Sequence, residues 1–241
     1  MFVANEARIG ASGLSGYATA VSGNRFERNT ASHEAAAARI VAVPSTRVVH
    51  NLFLGNQTPR GAIALVVEWG VVSNNLFVGN RCERLPGLGG CSAAVWVPDG
   101  MPDVRNNTFI DNTGGEGPAH LAFDSMFGQV RSNLFVGGEG PSAIGMAYTD
   151  HAVSGSMTYN AWWRVPVPVW GPGVTPGVGN LEADPLFSGA TEDWRLGVGS
   201  ACIDAGDPDP LLRDADGSRS DIGAFGGPEG DWVPLADGGE P

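Results

Sequence analysis

The feature that most constrains this chain is a short segment that recurs along its first two thirds. One copy reads VSNNLFVGN at residues 72–80, and the others keep its Val, Asn, Phe and final Asn or Gly. The copies begin at Val21, Val48, Val72, Val104 and Val130, and a degenerate copy begins at Val153. Successive starts are 27, 24, 32, 26 and 23 residues apart. A unit this short cannot bury its own apolar face, so each copy must stack on its neighbours.

Stacking of the copies would place like residues in columns. A phenylalanine column contains Phe2, Phe26, Phe53, Phe77, Phe109 and Phe135. An asparagine column, in which each side-chain amide can donate to the next carbonyl oxygen, contains Asn24, Asn51, Asn75, Asn107 and Asn133. A third column indicates a turn, because Asn and Gly both tolerate positive φ; it contains Asn5, Asn29, Asn56, Asn80 and Asn112 and ends in Gly138. The repeat therefore predicts an all-β fold, a right-handed parallel β-helix (solenoid) with about seven coils and strands about 4.8 Å apart.

Apolar stretches between the copies, at 61–67, 91–97 and 142–146, predict another sheet in each coil. We expect the coils to cover 1–163 and to end at a proline-rich stretch, because proline does not fit helix interiors or central strands. Residues 164–228 are expected to form an irregular acidic segment that closes the helix, and 229–241 an acidic flexible tail. FVAN at 2–5 matches FVGN at 77–80, so the first coil is truncated. This indicates either that the natural protein begins upstream or that the chain is a fragment.

Composition and charge limit the classes of partner. The net charge is −12, and residues 184–241 hold 13 of the 26 acidic residues but only three of the 14 arginines. Because an acidic protein is a poor partner for nucleic acid or anionic lipid, neither is expected. The chain contains no lysine, which excludes a lysine base and a P-loop. It also lacks any run of about 18 apolar residues, so no membrane insertion is expected in this segment.

Two of the three cysteines, Cys82 and Cys91, bracket a loop rich in Gly and Pro. A disulfide between them is predicted if the compartment is oxidising, and two free thiols are the alternative. Cys202 has no evident partner and is expected to be a small buried residue.

The last third of the chain carries ordered motifs. They are ADPLF at 183–187, DWRLGVGSACIDAG at 193–206 and DADGSRSDIGAF at 214–225. Together with the Asn-x-Phe coils, they resemble bacterial right-handed parallel β-helix repeat proteins of the choice-of-anchor type, over roughly residues 2–228. The resemblance implies a pectin-lyase-like architecture and a secreted or cell-surface setting, but no settled activity and no catalytic residues. The first six residues lack the basic start and apolar stretch of a signal peptide, and no sorting motif or anchor helix follows.

Carboxylates surround a Gly turn at residues 214–221. Asp214, Asp216 and Asp221 are candidate calcium ligands, because calcium binds carboxylate oxygens. Calcium takes about six to eight oxygens, however, and these acids lack the terminal Glu of an EF-hand. The alternative is an Asx turn in which Arg219 pairs with a neighbouring Asp.

Arg105 and Arg131 each follow a repeat Val directly, so they should lie side by side on the outer surface of adjacent coils. Lyases of the pectin-lyase-like architecture use a basic residue to remove the proton next to a uronate carboxylate. With Asp103 and Asp111, these arginines are the candidate catalytic residues. The alternative is that they are surface charges paired with one of those aspartates.

Trp162, Trp163 and Trp170 lie where the coils end. They are candidate ligand-binding residues, because indole rings can stack on sugars; the alternative is that they cover the open end of the core. The sequence thus predicts an extracellular or cell-surface β-helix module that binds polysaccharide or another surface partner without demonstrated catalysis. The alternatives are a polysaccharide lyase or glycoside hydrolase of this architecture, and a structural stalk or adhesin segment. Calcium is the one cofactor indicated.

Overall fold

The computed structural model describes residues 1–3, 6–7, 13–32, 35–59, 62–82, 93–115, 117–124, 128–146, 155–170, 175–189 and 192–234. Within these ranges the strands form four sheets, in which each strand pairs in parallel with the equivalent strand one coil away. The predicted all-β parallel β-helix is therefore confirmed, with slightly fewer complete coils than the seven expected. No helix of the described residues is long and apolar enough to cross a membrane.

The sheets are named A to D in the order in which the chain first visits them. Sheet A contains Phe2–Val3, Arg25–Glu27, Leu52–Leu54, Leu76–Val78, Thr108–Ile110, Leu134–Val136, Ala161–Trp163 and Leu181–Glu182. Sheet B contains Glu6–Ala7, Thr30–Ala31, Gln57–Thr58 and Arg81–Cys82. Sheet C contains Leu14–Tyr17, Ala38–Val41, Leu65–Val67, Val95–Val97, Leu121–Phe123, Ile144–Met146 and Val169–Trp170. Sheet D contains Ala20–Ser22, Arg47–Val49, Val71–Ser73, Asp103–Arg105, Gln129–Arg131 and Ser156–Thr158. One short 3-10 helix, Pro210–Leu212, follows.

The phenylalanine column forms the centre of the core. Phe26, Phe53, Phe77, Phe109 and Phe135 stack with ring centroids 4.7–5.0 Å apart and planes within 13° of parallel. The backbone of Phe2 is in register with Phe26, and Trp162 is in register with Phe135. The spacing of the rings matches the spacing of neighbouring strands, so one register of the coils satisfies both the backbone and the aromatic side chains.

The valine column lies in sheet D and faces the phenylalanines. Val21, Val48, Val72, Val104 and Val130 are in register, as predicted. The next member is Met157 rather than Val153, which lies outside the described residues. A buried Met fills the same apolar position as Val, so the repeat continues at a residue that its sequence pattern does not reveal.

The predicted asparagine ladder is present at the corner between sheets D and A. Each Nδ2 donates to the Oδ1 of the next member at 3.0–3.1 Å. The ladder runs further than predicted, and its members are Asn24, Asn51, Asn75, Asn107, Asn133, Asn160 and Asn180. The inner members also donate to main-chain carbonyl groups, so the buried amides are satisfied.

The third predicted column is a second ladder. Asn29, Asn56, Asn80 and Asn112 are linked from Nδ2 to Oδ1 at 2.9 Å, and Asn5 lies outside the described residues. The turn is where it was expected, but for the asparagines the positive φ belongs to the residue before each one. Those residues are Arg28, Gly55, Gly79 and Asp111, with φ between 47° and 59°. At the last member of the column, both Gly137 and Gly138 have positive φ.

This second ladder ends on a histidine that the repeat does not predict. Asn112 Nδ2 lies 3.1 Å from His120 Nδ1, and His120 Nε2 lies 3.0 Å from the Gly137 carbonyl oxygen. A neutral ring with its proton on Nε2 satisfies both contacts. Gly138 has a φ of 96°, and a Cβ there would lie 2.8 Å from the Asn112 carbonyl oxygen and 2.9 Å from this ring. These constraints explain why the column ends in glycine.

The predicted domain boundaries stay predictions, but two observations bear on them. Strands of sheets C and A continue beyond residue 163, at Val169–Trp170 and Leu181–Glu182. The first residues of the predicted tail contact the coils, since Glu229 pairs with Arg47. Residues 235–241 lie outside the described residues.

Candidate functional site

After its last strand, the chain turns back and covers the outer face of sheet A. We call the described residues of this segment, 183–189 and 192–234, the strap. The outer face of sheet A is apolar, and the exposed fractions of Leu52, Leu76 and Leu134 are 1%, 0% and 0%. They pack against strap side chains, namely Phe187, Trp194, Leu196, Ile222, Phe225 and Trp232. Burial of each leucine contributes about 1.5–3 kcal/mol, so the strap is part of the folded unit.

Polar residues at the corner between sheets D and A fix the path of the strap. Asn74 Nδ2 donates to the carbonyl oxygens of Ala224 and Gly226 at 3.0 and 2.8 Å. Asn106 Nδ2 donates to the Asp221 carbonyl oxygen at 3.0 Å. These corner residues have φ near 50°, which turns their side chains out of the core.

The same position in other coils also contacts the strap. His50 stacks on Trp232 with centroids 5.2 Å apart, and Ser132 Oγ accepts from the Asp207 N–H at 2.9 Å. Tyr159 lies beneath Arg219, 5.5 Å from the guanidinium carbon to the ring centroid. The strap therefore follows one column of corner residues along the axis of the helix.

A cavity of about 420 Å³ lies within the strap, above Thr108 of sheet A. Its apolar wall includes Trp194 and Phe225, and four aspartates line it. The aspartates are Asp214, Asp216, Asp221 and Asp231. The structure thus brings the three sequence-predicted aspartates together, and it adds aromatic residues that the sequence analysis did not single out.

Asp214 organises the wall of this cavity. Its carboxylate accepts N–H hydrogen bonds from Asp221, at 3.1 Å, and from Gly227. Burial raises the pKa of Asp214 to about 6; these hydrogen bonds oppose that effect, and the charges of Asp221 and Asp216 add to it. Burial also raises the pKa of Asp221, whose carboxylate accepts from the Asp204 N–H at 2.8 Å.

The same contacts bear on the calcium hypothesis. Asp216 Oδ1 accepts from the Ser218 N–H at 2.9 Å, so each of the three aspartates already holds a main-chain N–H. Within the described ranges, no three His, Cys, Asp or Glu side chains are placed to hold a metal ion together. Arg219 donates to the Gly206 carbonyl oxygen at 2.8 Å. The arrangement fits the hydrogen-bonded turn better than a cation site, and calcium binding stays a prediction.

Three of the four candidate catalytic residues lie elsewhere, on the outer face of sheet D. Asp103 bridges Arg105, at 2.6 Å, and Arg131, at 3.0 Å, and Arg131 also pairs with Asp207 of the strap at 3.2 Å. Asp111 belongs to the other corner and is exposed. Burial lowers the pKa of Arg131, but hydrogen bonds with Asp103 and Asp207 raise it by more. A guanidinium held in this way is a poor proton acceptor.

The tryptophans predicted to bind a ligand have different surroundings. Trp162 is 9% exposed and packs in the core below Phe135, whereas Trp163 is partly buried against the strap. Trp170 belongs to a strand of sheet C, and its side chain lies outside the described part of the chain. Neither described ring lines the strap cavity.

The cysteines also differ in their surroundings. Cys82 is disulfide-bonded, whereas Cys202 is a buried free thiol. Cys91 lies outside the described residues, so its pairing with Cys82 stays a prediction. Burial raises the pKa of Cys202 to about 11, which fits the expected inert core residue.

Comparison with known proteins finds no matching family model, no matching curated protein and no matching solved structure. The assignment to a parallel β-helix therefore depends on the coils themselves. The resemblance to the choice-of-anchor type stays a prediction.

Proposed function

We propose that this chain is an extracellular or cell-surface β-helix module that binds polysaccharide through the strap cavity, without catalysis. The observation that carries the proposal is the composition of the cavity wall. Trp194 offers apolar ring surface, and the aspartates beside it offer hydrogen-bond acceptors for hydroxyl groups. Ligand sites in proteins combine apolar walls with a few polar groups in this way, and their volumes run from about 300 to 1,000 Å³.

The compartment is supported by the disulfide at Cys82. Disulfides form and persist outside the cytosol, because reducing systems inside most cells break them. The acidic strap also favours a partner other than nucleic acid or anionic lipid.

The lyase alternative receives less support from the candidate catalytic residues. Arg105 and Arg131 are both engaged by Asp103, and the raised pKa of Arg131 is the wrong direction for a base that removes a proton. A lyase would produce new double bonds, so ultraviolet absorbance after incubation with uronate polymers tests this alternative directly.

The proposal is tested by glycan-array screening of the protein, followed by calorimetry with the oligosaccharides that bind. Replacing Trp194 by Ala should weaken binding about tenfold, because a stacked ring contributes about 1–1.5 kcal/mol. Trp194 also packs on sheet A, so folding of the variant is checked by its melting temperature. Asp231→Asn, at an exposed residue of the cavity rim, should weaken binding without loss of stability.

Leu211→Ala is the matched control, since Leu211 is an apolar strap residue that is 83% exposed and does not line the cavity. Its affinity should equal that of the wild type. Failure of every glycan to bind would overturn the proposal and favour the structural stalk. Binding that is unchanged in both cavity variants would place the glycan elsewhere on the surface and contradict the assignment of the cavity.

A further inference from the structure

The strap cavity has an imbalance of charge. Four aspartates line it, and the one guanidinium among its lining residues is that of Arg195. This guanidinium is already engaged, because it pairs with Asp193 at 3.2 Å, donates to the Trp232 carbonyl oxygen at 3.1 Å and lies 4.7 Å above the Phe225 ring. It supports the wall of the cavity, and the carboxylates keep a net negative charge.

The negative charge is concentrated beside the apolar wall. Asp214 is partly buried, and its charge is opposed by those of Asp221 and Asp216. A concave site lined by one sign of charge focuses its field on whatever enters. A positive charge placed there would relieve the repulsion between these carboxylates, whereas a further carboxylate would increase it.

We propose, on the basis of the polysaccharide function above, that the cavity takes an amino sugar carrying a free ammonium group and rejects a uronate. The ring of the sugar would pack on Trp194, and its ammonium group would donate to the carboxylates of Asp216 and Asp231 at the exposed rim. The inference depends on the cavity and its aromatic wall for the sugar, and on the unbalanced carboxylates for the charge.

Calorimetry near neutral pH with three short oligosaccharides of equal length tests this proposal. They are β-1,4-linked glucosamine, the same oligomer fully N-acetylated, and oligogalacturonate. We expect glucosamine to bind about tenfold more tightly than the acetylated oligomer, and galacturonate not to bind, since a favourable charge pair in a partly desolvated site contributes about 1–1.5 kcal/mol. The preference for glucosamine should shrink as salt is added, because ions screen exposed charges.

Two rim variants and one control assign the charge effect to the cavity. Asp216→Asn and Asp231→Asn should each lower the affinity for glucosamine about fivefold, and lower the affinity for the acetylated oligomer by a smaller factor. Glu182→Gln removes an exposed carboxylate outside the cavity and should change neither affinity. An oligolysine of equal charge should bind more weakly than glucosamine, since it lacks a sugar ring to stack.

The outcomes separate this inference from the function on which it depends. Equal affinity for glucosamine, its acetylated form and galacturonate would overturn the charge preference and leave polysaccharide binding standing. Tight binding of oligolysine would overturn the assignment to a sugar. Absence of binding by all three oligosaccharides, together with a negative glycan array, would overturn the proposed function itself.

Discussion

At the scale of single residues, His120 is the clearest departure from the repeat. It belongs to the connection between sheets B and C, yet its ring takes the place of the missing ladder amide above Asn112. It is fully buried and lies beside the stacked rings of Phe109 and Phe135, with centroids 5.9 and 5.8 Å away. The neutral ring accepts from Asn112 at Nδ1. A protonated ring would carry a proton on Nδ1, so two donors would face each other in the core.

The environment of His120 predicts a loss of stability in acid. Burial lowers its pKa from 6.5 to about 4, so below pH 6.5 the unfolded chain binds a proton that the native protein does not. The free energy of unfolding that neutral His120 contributes is fully present above pH 6.5. It falls by about 3 kcal/mol as the pH drops to about 4. Urea unfolding from pH 7 to pH 4 measures this.

His120→Gln is the control for the histidine, because a glutamine amide can donate and accept but does not titrate. The difference in unfolding free energy between wild type and variant removes the contributions of other groups. Asp214 is one of these, since its raised pKa gives stability that is present at low pH and is lost as the pH rises through about 6. A difference that does not change with pH would contradict the role assigned to His120.

At the scale of elements, each coil is stabilised by the one above it and the one below. Phe77 is fully buried and stacks on Phe53 and Phe109, with centroids 4.7 and 4.8 Å away. Because neighbouring coils share these contacts, a defect in a middle coil affects both of its neighbours.

The two stacking contacts of Phe77 set the cost of its truncation. Phe77→Ala should destabilise the protein by about 3–5 kcal/mol, through lost burial and the cavity that remains. Phe77→Leu keeps most of the volume and should cost less than half as much. Chemical denaturation of the two variants measures this. Equal small losses in both would mean that the rings do not form a packed column.

The sequence could predict those elements whose residue types recur in each coil. The phenylalanine and first asparagine columns were predictable, because each coil must present the same side chain to its neighbour. Met157 and Asn160 continue the repeat but were missed, since Met and Val differ in letter while filling the same space. The role of His120 was not predictable, because it lies in a connection outside the repeat. Within the repeat, the sign of this role is that Gly138 stands where the other coils have Asn.

The strap was the least predictable element. The cluster of Asp214, Asp216 and Asp221 was visible in the sequence, but not the cavity that it lines. The signal that could have shown the path of the strap is the residue before each ladder asparagine, which is polar or aromatic in five successive coils. The residues are His50, Asn74, Asn106, Ser132 and Tyr159.

At the scale of the whole molecule, ion pairs connect the strap to coils far apart in sequence. Arg25 pairs with Glu192, Arg47 with Glu229 and Arg131 with Asp207. The Arg131 pair is the most enclosed of the three, with 17% and 16% of the two side chains exposed. Loss of the Arg131 guanidinium would leave the Asp207 carboxylate without this cation, and Asp103 with one of its two, in a partly desolvated site.

Arg131→Ala should therefore destabilise the protein by about 1–2 kcal/mol and loosen the middle of the strap. Arg105→Ala is the matched control, since Arg105 occupies the same column but, in the part of the chain that the structure describes, it pairs with Asp103 and not with the strap. Hydrogen exchange should rise around Asp207 in the Arg131 variant and stay near wild type in the control. Equal exchange in both would mean that this ion pair does not hold the strap.

The register of neighbouring coils is the central claim, and a pair of cysteines tests it most directly. Gln129 and Ser156 are exposed, paired residues of adjacent strands in sheet D. Cysteines at both positions should form a disulfide in mild oxidant, because paired Cα atoms are about 4.8 Å apart. Cysteines at Gln129 and Thr158, two residues out of register, should stay largely unlinked. Mass spectrometry that finds the second bridge in preference to the first, or neither, would contradict the stacked parallel coils.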